Sequence, residues 1–233
     1  MSEPLLLIPG LMCTPDLFAL QVAAFAGERD VMVADHMQAD DMTEIARQIL
    51  DGAPERFALA GLSMGVYLAL EIMMLAPDRV TRLALLDGKA RRDTPEQLAA
   101  RHALLKLADD GRFMEITSQL LLPRLVAPGV VNEPVLRETI LHMARDTGEA
   151  AFRRQMNAIM NRRDYLPELP AIACPVLILT GELDVITPPE CAQEMAGRMA
   201  TAKLVLLPGC GHLSTLENPR GVNVQLREWL VNT

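Results

Sequence analysis

Aromatic side chains are scarce in this chain of 233 residues, with one Trp, two Tyr and five Phe. That excludes the stacking platforms on which single-stranded nucleic acids are held. Positive charge is also short, with 22 Lys and Arg against 30 Asp and Glu and a net charge of −8. This is the wrong sign for phosphate backbones or anionic lipid, so neither a nucleic-acid nor a membrane-surface partner is expected. Long apolar runs are missing too. The longest uncharged stretch covers 14 residues, 57–70, is interrupted by Gly61, Ser63 and Gly65, and closes at Glu71, which is too short to span a bilayer. The opening MSEPLLLIPG has no basic segment ahead of its short apolar run, so the expected address is the cytoplasm. Four cysteines, Cys13, Cys174, Cys191 and Cys210, stand without C-x-x-C spacing and are expected to be reduced thiols. Cys210 and His212 at i and i+2 lack the second pair that a zinc site needs. With no metal or dinucleotide motif, no cofactor is expected.

What the chain does have is aliphatic bulk. Half of it is hydrophobic, with 14 Met to fill irregular gaps and 16 Pro to turn the chain. Short, nearly continuous apolar runs at 5–8, 31–34, 57–60, 83–86, 176–180 and 204–207 predict six buried strands. Runs without in-out alternation fit a mostly parallel sheet covered on both faces by helices, an α/β sandwich. A helix apolar on every side is predicted over 66–75, ended by Pro77, and a last helix over 219–231.

The interval 89–170 contains no strand pattern. Thr94-Pro95-Glu96-Gln97 reads as an N-cap, a proline at the first helical position and a capping-box partner, starting a helix that runs to about 109. Further helices are predicted over 112–122, 134–145 and 148–161. Residues 1–233 are thus expected to form one α/β domain, with 89–170 inserted as an all-helical lid.

Gly61-Leu62-Ser63-Met64-Gly65 follows the 57–60 strand directly and opens the 66–75 helix, the context in which a serine is raised on a sharp strand-to-helix turn. The pattern is expected by chance only about 0.01 times in a chain of this composition. A serine hydroxyl needs a positioned base. Of the four histidines, His212 in Pro208-Gly209-Cys210-Gly211-His212 follows the last strand and opens on the same crevice as Ser63. His36 is expected in a surface loop, and His102 and His142 on solvated helix faces. An acid must orient His212. Asp184, which follows the 176–180 strand at its carboxyl end, is preferred, and Asp87, after the 83–86 strand, is its rival. Glu182 is expected as an exposed loop carboxylate. Oxyanion donors are expected from the backbone N–H groups of Met64 and, past Pro9-Gly10, of Leu11, with Met12, Cys13 and Leu17 lining the pocket.

With these residues assembled, the chain resembles the α/β-hydrolase superfamily through LLLIPGL, GLSMG, LALLDG, PVLILTGELDVITPP and LPGCGHLSTLENP. Within it the chain is similar to small bacterial serine esterases and lactonases with a short helical lid. That resemblance implies Ser63 as nucleophile, Asp184 as acid and His212 as base. Two departures stand out: Pro9-Gly10 where the family often has His-Gly, and Val66 where it often has a second glycine. The chain also opens almost at its first parallel strand, which implies a sheet without an antiparallel hairpin ahead of it. The function expected is hydrolysis of small to medium carboxylic esters through an acyl-enzyme, by a monomer or homodimer. Lactone, thioester, haloperoxidase and lyase chemistry share the same triad, and a non-catalytic small-ligand-binding protein is the alternative from another class.

Overall fold

Six strands, β1 (Leu5–Ile8), β2 (Val31–Val33), β3 (Phe57–Leu62), β4 (Val80–Leu86), β5 (Val176–Gly181) and β6 (Ala202–Leu207), form where apolar runs break between helices. The computed structural model describes residues 2–231. Every neighbouring pair is parallel, in the order β2-β1-β3-β4-β5-β6. All six expected strands are present, four of them longer than their apolar runs.

Alternate residues of each central strand serve opposite faces. Leu6, Ile8, Leu59, Leu83, Leu85 and Ile178 pack under α2 (Met42–Gly52), α3 (Met64–Leu75) and α8 (Pro189–Ala196). Leu5, Leu7, Ala58, Ala60, Leu177 and Leu179 pack against α1 (Ala19–Phe25) and α10 (Pro219–Val231). Helix α3 is buried around almost its whole circumference, as its sequence implies.

Between β4 and β5 the chain is helical, with no strand among the described residues. Helix α4 (Pro95–Asp109) begins with the full capping box, Thr94 accepting from the Gln97 N–H and Gln97 accepting from the Thr94 N–H. The helix expected over 112–122 is broken instead. It runs as α5 (Phe113–Glu115), a wider π-type turn over Ile116–Leu121, and α6 (Leu122–Leu125). Pro123 has no N–H to give back to the preceding turn and its ring crowds the carbonyl there, so the chain widens before it. Helix α7 (Pro134–Asn161) joins the two segments expected at 134–145 and 148–161, with Gly148 at φ 72° as the kink between them. Met12, Phe113, Ile116, Phe152 and Met156 form a small core beneath these helices. No described helix is long and apolar enough to cross a membrane. The short helix α9 (Ser214–Glu217) precedes α10.

Candidate active site

The strand order reverses between β1 and β3, and a crevice opens at the carboxyl ends of such a pair. Ser63 stands there, between β3 and α3, at φ 57° and ψ −110°. A non-glycine residue in this left-handed region is strained and persists only where its surroundings enforce it. Here the enforcement is close packing. A Cβ on Gly61 would lie 2.1 Å from the Gly65 carbonyl oxygen, and one on Gly65 would lie 2.0 Å from that of Ile8. Only glycines let the start of α3 sit this close to β1 and β3, and the resulting turn lifts Ser63 out of the sheet.

The Ser63 hydroxyl reaches His212 Nε2 at 2.8 Å, and His212 Nδ1 reaches Asp184 Oδ2 at 2.7 Å. The Nδ1–H therefore donates to the carboxylate, leaving Nε2 to accept from the serine. Asp184 also accepts from the Ile186 and Thr187 N–H groups and from the Thr187 hydroxyl, at 2.8, 3.0 and 2.8 Å. Burial pushes the Asp184 carboxyl up, but His212 and these donors outweigh it and hold it below its ordinary value. Burial likewise pulls His212 down, and the adjacent Asp184 carboxylate outweighs it, raising His212 above the usual imidazole range.

Asp87 plays another part. It is fully buried, accepts from the Gly181 N–H at 2.9 Å and from the Ser214 hydroxyl, and so ties the end of β4 to β5 and to α9. No hydrogen bond links it to His212. Burial and the nearby Asp184 charge push its carboxyl up to about 7.

The loop after β1 closes the other side. Gly10 faces the Ser63 Cβ, where an added Cβ would lie at 3.4 Å. The Leu11 N–H has no acceptor among the described residues, and Met64 is the first residue of α3, where an N–H has no intrahelical partner. Met12 and Cys13 line a cavity of about 210 Å³ together with Ser63 and His212. Burial pushes the Cys13 thiol up to about 12, so it is no thiolate nucleophile. Leu17 is not on this wall: the tight turn Pro15–Phe18, started by Thr14, points it inward, and it is fully buried in the core with Leu5, Leu7 and Phe18.

His36 also departs from expectation. It is buried rather than in a surface loop, with Nε2 2.9 Å from the Gly10 carbonyl oxygen. Gln155 of α7 lies against it at 3.1 Å and accepts from the Met12 N–H at 3.1 Å, at a residue whose φ is 57°. His102 and His142 are exposed, as expected, and so is Glu182. Glu217 was not singled out by sequence, yet it accepts from the Gly211, Leu213 and Ala127 N–H groups and fixes the loop that carries His212. A carboxylate at the end of α9 gave no signal of that role, because its partners come from two loops. Thr187 could have been found, since a hydroxyl three residues after an aspartate in a loop is a recurrent capping pattern. The four cysteines are all unpaired, and no group of three or more metal-ligating side chains occurs among the described residues.

A serine raised at a strand-helix turn, with a histidine and a carboxylate at the ends of later parallel strands, defines the class of α/β-fold hydrolases. The sequence pattern described as "Alpha/beta hydrolase family" matches residues 5–225, and the chain belongs to that family as a hydrolase of this fold. A pimeloyl-[acyl-carrier protein] methyl ester esterase of Nitrosomonas europaea is 31% identical over 187 residues, covering 77% of this chain and 72% of that protein. Among solved structures, a thermophilic esterase from Thermogutta terrifontis superposes with a TM-score of 0.89 at 28% identity, covering 99% of this chain and 90% of that one. The enol-lactonase of Burkholderia xenovorans shares the fold with a TM-score of 0.87 at 24% identity, covering 100% and 92%.

Proposed function

We propose that the protein is a serine hydrolase of carboxylic esters, with Ser63 as nucleophile, His212 as general base and acid, and Asp184 as its orienting carboxylate. The observation that carries this reading is the continuous relay Ser63 Oγ, His212 Nε2, His212 Nδ1, Asp184 Oδ2, at 2.8 and 2.7 Å, at the edge of the cavity. Ser63 attacks the ester carbonyl while its proton passes to Nε2, and Asp184 stabilises the imidazolium. The oxyanion takes hydrogen bonds from the Leu11 and Met64 N–H groups, which have no acceptor among the described residues. His212 then returns the proton to the departing alcohol, leaving an acyl group on Ser63. Water, deprotonated by the same nitrogen, releases the acid and restores the serine.

The helical segment 89–170 forms the lid of a single α/β domain, roofing the cavity with α4, α6 and α7. Two of the relatives, at 31% and 28% identity, are named esterases, which favours an ester over lactone, thioester or lyase chemistry as the reaction. The test is hydrolysis of p-nitrophenyl esters from acetate to dodecanoate by wild type and Ser63→Ala. Activity lost in the variant, with an optimum at short to medium chains, is expected. Activity retained without the serine would overturn the assignment.

A further inference from the structure

In the wall of the cavity that holds Ser63 lies a charged cluster that the hydrolytic mechanism does not use. Asp93 Oδ1 pairs with Lys89 Nζ at 3.0 Å and with Arg162 Nη2 at 2.9 Å, and Asp93 Oδ2 with Arg101 Nε at 2.5 Å. Among the described residues Asp93 is the one carboxylate that these three cations pair with, so the cluster carries two unmatched positive charges. Their side chains are largely withdrawn from solvent, 10% exposed for Lys89, 20% for Arg101 and 0% for Arg162. One cation is enough to staple the loop after β4 to α4. Burying two more without a counter-charge is costly, unless an anion completes the set.

The donors left over point the same way. Arg162 is turned to the back, giving its terminal nitrogens to Ile159 O, Arg91 O and Asp93, with its guanidinium 4.0 Å from the centre of the Tyr67 ring. Lys89 spends two of its three N–H donors, on Asp93 and on Gln97 at 2.6 Å. Arg101 spends Nε on Asp93 and sets Nη1 against Met156 Sδ, and Nη2 has no acceptor among the described residues. Lys89 and Arg101 line the same cavity as Ser63, and so does Arg124, an exposed residue in no ion pair among the described residues. A protein of net charge −8 thus sets three cations around a single carboxylate, Asp93, in the wall of the cavity that holds Ser63.

We propose that this wall is an anion subsite, and that the substrate is an ester whose acyl chain ends in a carboxylate held by Lys89 and Arg101. The assignment rests on Ser63 as nucleophile for the reaction, but not for the binding. A carboxylate suits the site because Lys89 and Arg101 already grip one, the two oxygens of Asp93, and each keeps a further N–H donor.

The matched probes are monomethyl esters of succinate, glutarate and adipate against methyl butanoate, pentanoate and hexanoate. Wild type is expected to favour one charged ester over its neutral match by about tenfold or more in kcat/KM. That ratio should collapse in Arg101→Gln and survive in Arg101→Lys. If Arg101→Gln does not fold, the wild-type ratio should still fall between roughly 20 and 500 mM salt while neutral turnover holds. A ratio at or below one at every chain length, or one unchanged in a folded Arg101→Gln, overturns the proposal. Should Ser63 prove not to be the nucleophile, calorimetry with glutarate on the Ser63→Ala protein reads the subsite alone. Binding that Arg101→Gln abolishes upholds it, and no binding overturns it.

Discussion

The floor and the roof of the cavity are both polar and both buried, but they balance charge in opposite ways. On the floor, one imidazole meets one carboxylate, and the remaining lone pairs of Asp184 are filled by Ile186 and Thr187. On the roof, three cations surround Asp93. The floor is built from loops at strand ends, where backbones pack so closely that a Cβ on Gly61, Gly65 or Gly181 would lie 2.1, 2.0 or 2.0 Å from a carbonyl oxygen. The roof joins a loop to helices, with Lys89 and Asp93 in the loop after β4, Arg101 on α4 and Arg162 just past the end of α7. A site that moves one proton needs its charges matched before substrate arrives, whereas a site that selects a ligand can leave a charge for the ligand to match.

The largest break in this comparison comes from the floor. Ser63→Ala or His212→Ala is expected to lower kcat by about 10³-fold or more, read with p-nitrophenyl butyrate. Asp184→Asn should cost roughly 10²-fold or more by the same assay. It should also move the acid limb of the kcat/KM profile. His212 must be neutral to accept the Ser63 proton, and Asp184 holds its pKa above the ordinary value, so wild-type activity falls with decreasing pH through that raised pKa. Without the carboxylate charge the limb shifts to lower pH.

The roof should break differently. Asp93→Leu strands three cations and is expected to cost about 3 kcal/mol in urea denaturation, a loss of stability before a loss of chemistry. Gln155→Ala frees the Met12 N–H and loosens the loop that presents Leu11. It should lower kcat by about tenfold with KM little changed, because the oxyanion forms only after substrate is bound. The smallest effect is expected from Asp87→Asn, within about threefold in kcat. The amide still accepts from Gly181, and the carboxyl it replaces titrates near 7. A larger loss there than with Asp184→Asn, measured side by side, would make Asp87 the orienting acid.

The six strands, helices α3 and α10 and the serine turn were legible because each is written in adjacent residues. Apolar runs, a capping box and two glycines four apart are local signals, and the backbone obeys them wherever the fold permits. The order of Ser63, Asp184 and His212 along the chain was readable for the same reason, since each follows a strand end. Leu17 and His36 were misplaced because burial depends on what the rest of the chain brings over them. Leu17 is turned into the core by a tight turn, and His36 is covered by Gln155 from 119 residues away.

The amino-acid sequence by itself thus determined the layers, the elbow and the candidate relay, through short-range periodicity and turn chemistry. Only the tertiary structure decided which carboxylate meets His212, that Asp87 instead ties β4 to β5 and α9, and that Asp93 sits among three cations. Those outcomes depend on distances between residues far apart in the chain, and such distances exist only once the helices have packed on the sheet.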